Sequence, residues 1–416
     1  MQSYLEKNAF HELMIKEPPS DELKAIIVIP SFNEPDLLDA IRSLQQCNLS
    51  NGWIEILTVL NSPLSADALI TDLHRLQYES IQKLSKESSL ANIRVHSLKP
   101  IQLPDKIAGV GLARKIGMDE AVRRFEFLGK DGIIFNFDAD CLCSPDYISQ
   151  VLDYFGNHLE IDAVSIGFHH RWDHLDEQQK QAIILYELHL RCYIGFQKWN
   201  SYPFAYQTLG SCFAVRSKAY QAQGGMNKRK AGEDFYFLHK LSIIGKLGEL
   251  NKILVLPSGR ISNRVPFGTG KGVHDIIYSE KLFRTYNPDA ISEFCHFMIQ
   301  ARNSYDDFKS GKSFKAKVSS NSLLEFLILH SFEEALDLTL QNCSDSRSFQ
   351  KRVSKWFDPF RLMKYLHFAR ESEFPDMEVL EVANLLVKKY HPKEMVFDQS
   401  AESLLNMLIA IAYVEK

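Results

Sequence analysis

The stretch GIIFNFDADCLC at 132–143 ends an apolar run, Gly132 to Phe137, in two carboxylates one residue apart, Asp138 and Asp140. If the strand continues through them, residues i and i+2 share a face and the two charges lie side by side. Like charges so placed repel, and one takes up a proton unless a cation neutralises the pair. Hard carboxylate oxygens are what Mg²⁺ or Mn²⁺ prefers, so the pair reads as a divalent-metal site. The competing reading makes one aspartate the cap of a helix that starts near Ser144-Pro145. A second acidic pair, Glu233-Asp234, follows a glycine at an expected helix start. Acids there suit the helix dipole, and one of them could equally serve as general base toward a substrate hydroxyl.

Two basic, glycine-bearing stretches complete the set. KIAGVGLARK (106–115) puts Gly109 and Gly111 before a helix with Arg114 and Lys115. It reads either as a close backbone approach to a phosphate or as a plain helix start with a solvated basic face. It lacks the three-glycine spacing of a dinucleotide fingerprint. In LPSGRISNRVPFGTGKG (256–272), Arg260, Arg264 and Gly268-Thr269-Gly270 offer guanidinium forks and a backbone nest suited to a diphosphate, or a solvated turn.

The elements that must hold these residues follow from periodicity. AIIVIP (25–30) and IEILTVL (54–60) read as buried strands, with a short strand near Ile93-Val95 and another at 132–137. Helical patterns intervene at 35–47, 66–86 and 108–127. This alternation predicts a mostly parallel sheet flanked by helices, whose ligands gather at the carboxyl ends of the strands. Ser31-Phe32-Asn33-Glu34, Asn61 and the Asp138/Asp140 pair all fall at such ends. Further strands are expected at 163–168 and around 209–216, and helices at 176–199, after 216, and from 232. Beyond about 275 helical patterns dominate, and their histidines and aromatics read as core. The organisation expected is an N-terminal extension (1–24), an α/β domain (25–275) and an α-helical C-terminal domain (276–416).

The whole chain sets outer bounds. It has 416 residues, 45% hydrophobic and 24% charged, with a net charge of −4, which gives no electrostatic footprint for nucleic acid. No apolar run reaches the ~18–20 residues of a membrane span, and the first residues lack the apolar core of a signal peptide. Seven scattered cysteines suit reduced thiols and a cytoplasmic setting, with Cys141 and Cys143 as packing residues.

In order, IIVIPSFNEP, GVGLARKIGMDEA, FNFDADCLCSPDYI, GSCFAVRSKAYQAQGGM and GEDFYFLHKL resemble the inverting family 2 glycosyltransferases of the GT-A fold, over roughly residues 25–270. The resemblance implies that Pro30, Ser31, Phe32, Asn33 and Glu34 line a nucleotide pocket. Asn61 stands where the family often carries a base-contacting Asp, and Arg114 falls near base and phosphates. Arg264 joins the nucleotide-binding set. Asp138 would contact ribose or metal, and Asp140 would hold Mn²⁺ or Mg²⁺ against the diphosphate. His274 and His239 are candidates for a third metal ligand. Asp234 would be the general base, with Glu233 beside it.

The Gln-x-x-Arg-Trp signature of processive polymerases is missing, so transfer of one sugar at a time is implied. The donor would be a nucleoside-diphosphate sugar, and the acceptor an unnamed sugar, lipid-linked or protein hydroxyl. Aromatic and polar side chains near 168–208 (His169, His170, Trp172, Trp199, Tyr202) are candidates to stack on it. A role in glycan, polysaccharide or glycoconjugate synthesis is the extrapolation, with the C-terminal helices as a candidate homo-oligomer surface. The alternatives are a nucleotidyltransferase, a phosphohydrolase of the haloacid dehalogenase type with Asp138 as nucleophile, or a non-catalytic nucleotide-sugar-binding protein.

Overall fold

The computed structural model describes residues 3–49, 51–87, 92–230, 232–262, 268–279, 281–392 and 399–412. They form two compact units, one of Met1–Lys180 with Gln207–His274 and one of Gln181–Tyr206 with Asp275–Lys416.

The first unit runs α1 (Tyr4–Asn8), β1 (Leu23–Ser31), α2 (Leu37–Gln45), β2 (Trp53–Pro63), α3 (Ala68–Glu87), β3 (Ile93–Ser97), β4 (Ile101–Leu103), α4 (Val110–Phe127), β5 (Ile133–Asn136), β6 (Leu142–Cys143), α5 (Tyr147–Asn157) and β7 (Ala163–Phe168). After α6 (Glu177–Trp199), most of which belongs to the second unit, come β8 (Phe213–Arg216), α7 (Ser217–Ala222), α8 (Glu233–Ile243), β9 (Leu247–Leu256) and α9 (Thr269–Tyr278). The described strands of this unit form one sheet in the order β3-β2-β1-β5-β8-β7-β9-β6, with β4 beside β2. Strands β1, β2, β3, β4 and β5 pair in parallel, as do β7 and β9, while β8 and β6 run antiparallel to their neighbours. This is the mostly parallel, helix-flanked α/β architecture expected.

The β-branched run of β1 is buried from Ala25 to Ile29, which is why it reads without polar alternation. Helix α4 lies on β1 and β2, and Gly117 lets it come close, since a methyl group there would strike Val28 and Val59. The helix is buried on more than one side. Leu112, Ala113, Ile116 and Ala121 are apolar core residues, whereas Lys115, Asp119, Glu120 and Arg124 are buried charges.

These charges pair with other side chains, Lys115 with Asp119, Glu120 with Arg123 and Arg124 with Glu55, and the N-terminal residues add further hydrogen bonds to them. Tyr4 Oη donates to Asp119 Oδ1 at 2.8 Å and accepts from Lys115 Nζ at 3.0 Å. The N–H of Ile15 donates to Glu120 at 2.9 Å, and the Glu17 carbonyl accepts from Arg124 at 2.9 Å. The segment expected to be a mere extension is therefore a strap whose polar backbone pairs with buried side chains. Tyr4→Phe should lower stability by roughly 1.5–3 kcal/mol, the range for hydrogen bonds to charged groups, read from the urea midpoint.

The second unit adds β10 (Arg284–Thr285), α10 (Pro288–Arg302), α11 (Tyr305–Lys309), a 3₁₀ turn (Phe314–Lys317), α12 (Asn321–Leu329), α13 (Phe332–Gln341), α14 (Ser346–Trp356), α15 (Pro359–Ala369), β11 (Met377–Glu378), α16 (Val379–Tyr390) and α17 (Ala401–Ala412). Its core is aromatic: Phe294 lies against Phe357 and Tyr365, and Phe332 against Trp356, with ring centroids 4.7–5.6 Å apart. Tyr202 enters the same cluster and donates to the Phe357 carbonyl at 2.7 Å, which ties residues 181–206 to this unit. The aromatics of this cluster are core as expected, whereas Tyr278 is exposed. The histidines are not core: His296 and His367 are exposed, and His330 and His391 are half-buried, as suits an imidazole that keeps water on at least one nitrogen. No helix among the described residues is long and apolar enough to cross a membrane.

Candidate active site at the strand ends

The site forms where β1, β2 and β5 end. Val28 pairs with Asn136 and Ser31 with Leu60, so Ser31 and Asn61 are neighbours on adjacent parallel strands. Strand β2 runs on through Asn61 to Pro63, beyond the expected stop, because β4 pairs with Asn61–Pro63. Pro30, Ser31, Glu34 and Asn61 are buried, Phe32 is half-buried and Asn33 is exposed. Asn33 turns the chain in the left-handed region at φ 49°, a conformation Asn tolerates better than most residues. Helix α3 fixes this turn: the Asn33 N–H donates to His74 Nε2 at 3.3 Å, and Gln77 donates to the Glu34 carbonyl.

Asp138 and Asp140 do not extend the strand. β5 ends at Asn136, and the Cys141 N–H closes a turn onto the Asp138 carbonyl at 3.1 Å. Strand alternation therefore does not set the two carboxylates side by side, and each has its own arginine. Neither caps a helix, since α5 is preceded by Asp146. Arg114 Nη2 donates to Asp138 Oδ1 at 2.6 Å, and Arg260 Nη2 lies 3.4 Å from Asp140 Oδ2 while pairing with Glu34. The side chains of Asp138 and Asp140 keep 36% and 24% of their surface exposed, enough for a ligand to reach both.

Arg114 is the buried hub. Besides Asp138 it reaches Glu233 Oε1 with Nε at 2.9 Å and donates through Nη1 to the Gly210 carbonyl. Gly210 has to be glycine, because a methyl group would collide with Arg114 and meet Asp234 Oδ2. The glycines of the 106–115 stretch serve the same assembly. A methyl on Gly109 would crowd Lys230, and one on Gly111 would strike the backbone at Asn227 and Arg229. The backbone these glycines admit is thus the chain's own segment before α8, which brings the start of α8 against α4.

Helix α8 opens after Gly232 at φ 71° and presents Glu233 and Asp234 in its first turn. Asp234 Oδ1 accepts from the Phe235 N–H at 2.7 Å. Burial pushes Glu233 up to about 7 even though Arg114 opposes the shift. Burial likewise raises Asp234, again against Arg114. For Arg114, burial would lower the pKa, but Asp138, Glu233 and Asp234 together hold it above its ordinary value.

Other candidates fall elsewhere. Arg264 lies outside the described residues. The stretch expected as a loop to 272 turns helical at Thr269, whose hydroxyl sits 3.4 Å from buried His170, while Gly270 abuts Ser262. His239 stacks on Phe235, and among the described residues no three His, Cys, Asp or Glu side chains form a metal-ligand set. Asp138 and Asp140 nevertheless suit a cation of the Mg²⁺ type, which takes one or two carboxylates and completes its shell with phosphate oxygens and water. Tyr202, a candidate for acceptor stacking, is core in the second unit. His74, Gln77 and Gly210 escaped sequence reading. The first two carried a signal, as polar residues on the same helix face as buried Ile81.

No protein-family model matches this chain, and no curated protein matches it by sequence. Among solved structures, residues 1–349 of Staphylococcus aureus TarS in complex with UDP-GlcNAc align at 13% identity over 90% of this chain and 93% of that one, with a TM-score of 0.40. The mannosyltransferase PcManGT from Pyrobaculum calidifontis, in complex with GDP-Man and Mn²⁺, aligns at 12% identity over 99% and 86%, with a TM-score of 0.36.

Proposed function

We propose that the chain is an inverting, family 2-like glycosyltransferase that moves one sugar from a nucleoside-diphosphate donor to an acceptor hydroxyl. The observation that carries this reading is the reach of Arg114, which joins the part-exposed Asp138–Asp140 turn to buried Glu233 at the start of α8 in one charge cluster. That cluster lies at the carboxyl ends of parallel strands, where sheets of this kind bind ligands. The polar turn Ser31–Glu34 and Asn61 offer backbone and side-chain groups for a nucleoside.

A divalent cation held by Asp138 and Asp140, Mn²⁺ or Mg²⁺, would supply countercharge to the leaving diphosphate. Asp234 takes the proton of the acceptor hydroxyl as its oxygen bonds to the anomeric carbon from the face opposite the leaving group. The bond from that carbon to the phosphate oxygen breaks, and the nucleoside diphosphate leaves with its electron pair. Arg114 keeps the cluster charged and oriented, so Asp234 works beside a fixed cation instead of mobile water. The acceptor is a sugar, lipid-linked or protein hydroxyl, and the catalytic part is residues 25–275.

The test is calorimetric titration of UDP, GDP, CDP and dTDP, with and without Mn²⁺, on wild type and Asp140→Ala. One nucleotide should bind tightly, with a requirement for both Mn²⁺ and Asp140. If none binds under any condition, the reading fails and phosphoester hydrolysis is the assay to run.

A further inference from the structure

Arg260 lies between two carboxylates of the candidate site. It sits in the loop after β9, pairs with buried Glu34 through Nη2, and lies 3.4 Å from Asp140 Oδ2 with the same nitrogen. A guanidinium therefore supplies Asp140 with the positive charge that a divalent cation would bring. The two cannot both sit against one carboxylate at hydrogen-bond range without strong like-charge repulsion.

We infer that Arg260 is the resting counter-ion of Asp140 and an exchange residue: it is anchored on Glu34 and turns from Asp140 to the diphosphate when cation and nucleotide enter together. This rests on the nucleotide-sugar reading above. Glu34 is the natural anchor, because it is buried and its backbone is gripped by Gln77 from α3. Arg260 and Asp140 each keep 24% of their side-chain surface exposed, so the weaker contact is also the one a ligand can reach. A guanidinium fork that releases a carboxylate finds equivalent geometry on phosphate oxygens. A cation arriving alone has to displace Arg260 from Asp140 with only Glu34 left to hold its charge. A diphosphate arriving alone meets Asp140 unneutralised once Arg260 has turned. Arriving together, each removes the obstacle to the other, so the two bind cooperatively.

The test titrates Mn²⁺ into the full chain, following free Mn²⁺ by electron paramagnetic resonance. Titrations are run without nucleotide and with saturating UDP, GDP, CDP or dTDP, corrected for Mn²⁺ bound by nucleotide in buffer. In wild type, nucleotide should raise Mn²⁺ affinity by about 5–150-fold, the usual span of coupling between two sites. In Arg260→Ala, Mn²⁺ alone should bind more tightly than in wild type, and the gain from nucleotide should shrink toward none. Arg260→Lys keeps a cation at the position and should stay close to wild type for Mn²⁺ alone, which separates loss of charge from disturbance of the loop. Unchanged or weaker binding of Mn²⁺ alone by Arg260→Ala overturns the inference. If no nucleotide binds the wild type, the donor reading fails by itself, and the Mn²⁺-only comparison still decides whether Arg260 guards Asp140.

Discussion

Asp234→Asn should cut the transfer rate by roughly 10²–10⁴-fold, the usual contribution of a general base, while nucleotide binding stays as in wild type. The amide keeps the shape of the carboxylate and an oxygen to accept from the Phe235 N–H, so the first turn of α8 is preserved. What it loses is the ability to take a proton. The same assignment fixes the sign of the pH dependence. Burial raises Asp234 and holds Glu233 at about 7, so the proton-accepting form fills only as pH rises. Transfer should therefore rise with pH along an acid limb displaced above the ordinary aspartate range. Glu233→Gln removes a neighbouring negative charge and should move the acid limb to lower pH. An Asp234→Asn enzyme with full activity, or a wild-type profile with no acid limb above the ordinary aspartate range, would sink the base assignment.

The β-branched strands 25–30 and 54–60 and the helices between them were legible because burial on both faces of a parallel sheet leaves a continuous apolar run. The acidic and glycine motifs were legible by type, but not what satisfies them. Asp138 and Asp140 looked like a strand pair because the apolar run stops at Phe137. The turn that carries them is closed by a backbone bond, which composition does not announce. Gly109 and Gly111 could be read as spacers for close approach, yet the backbone they admit lies more than a hundred residues downstream. Arg260 and Glu34 are 226 positions apart, and such a pair becomes visible only when the fold brings β1 and the loop after β9 together. Buried charge on α4 likewise looks like a solvated face until the N-terminal strap is known to cover it.

Arg114→Met should be the most disruptive single change in the first unit, lowering stability by about 3–5 kcal/mol, as expected when one partner of a buried ion pair is removed. The arginine is 2% exposed and is surrounded by Asp138, Glu233 and Asp234. Without it three carboxylates face one another with no cation between them, and the Gly210 carbonyl loses its donor. The penalty should depend on pH with a definite sign. Glu233 already has a folded pKa, about 7, above its unfolded value, so its contribution to stability is present at low pH and lost as pH rises through 7. Arg114 opposes that shift, so removing it drives the folded pKa higher still and enlarges the loss at pH 8 relative to pH 6. Urea midpoints at the two pH values measure it, and equal losses at both would mean that Arg114 does not hold these groups ionised. Arg114→Lys should recover only part of the stability, because an ammonium is a single point of charge and cannot span Asp138, Glu233 and the Gly210 carbonyl as the guanidinium fork does. In the double variant Arg114→Met with Glu233→Gln, one of the stranded charges is gone, and the combined loss should be smaller than the sum of the two single losses. That non-additivity would separate a charge cluster from a side chain that merely fills space.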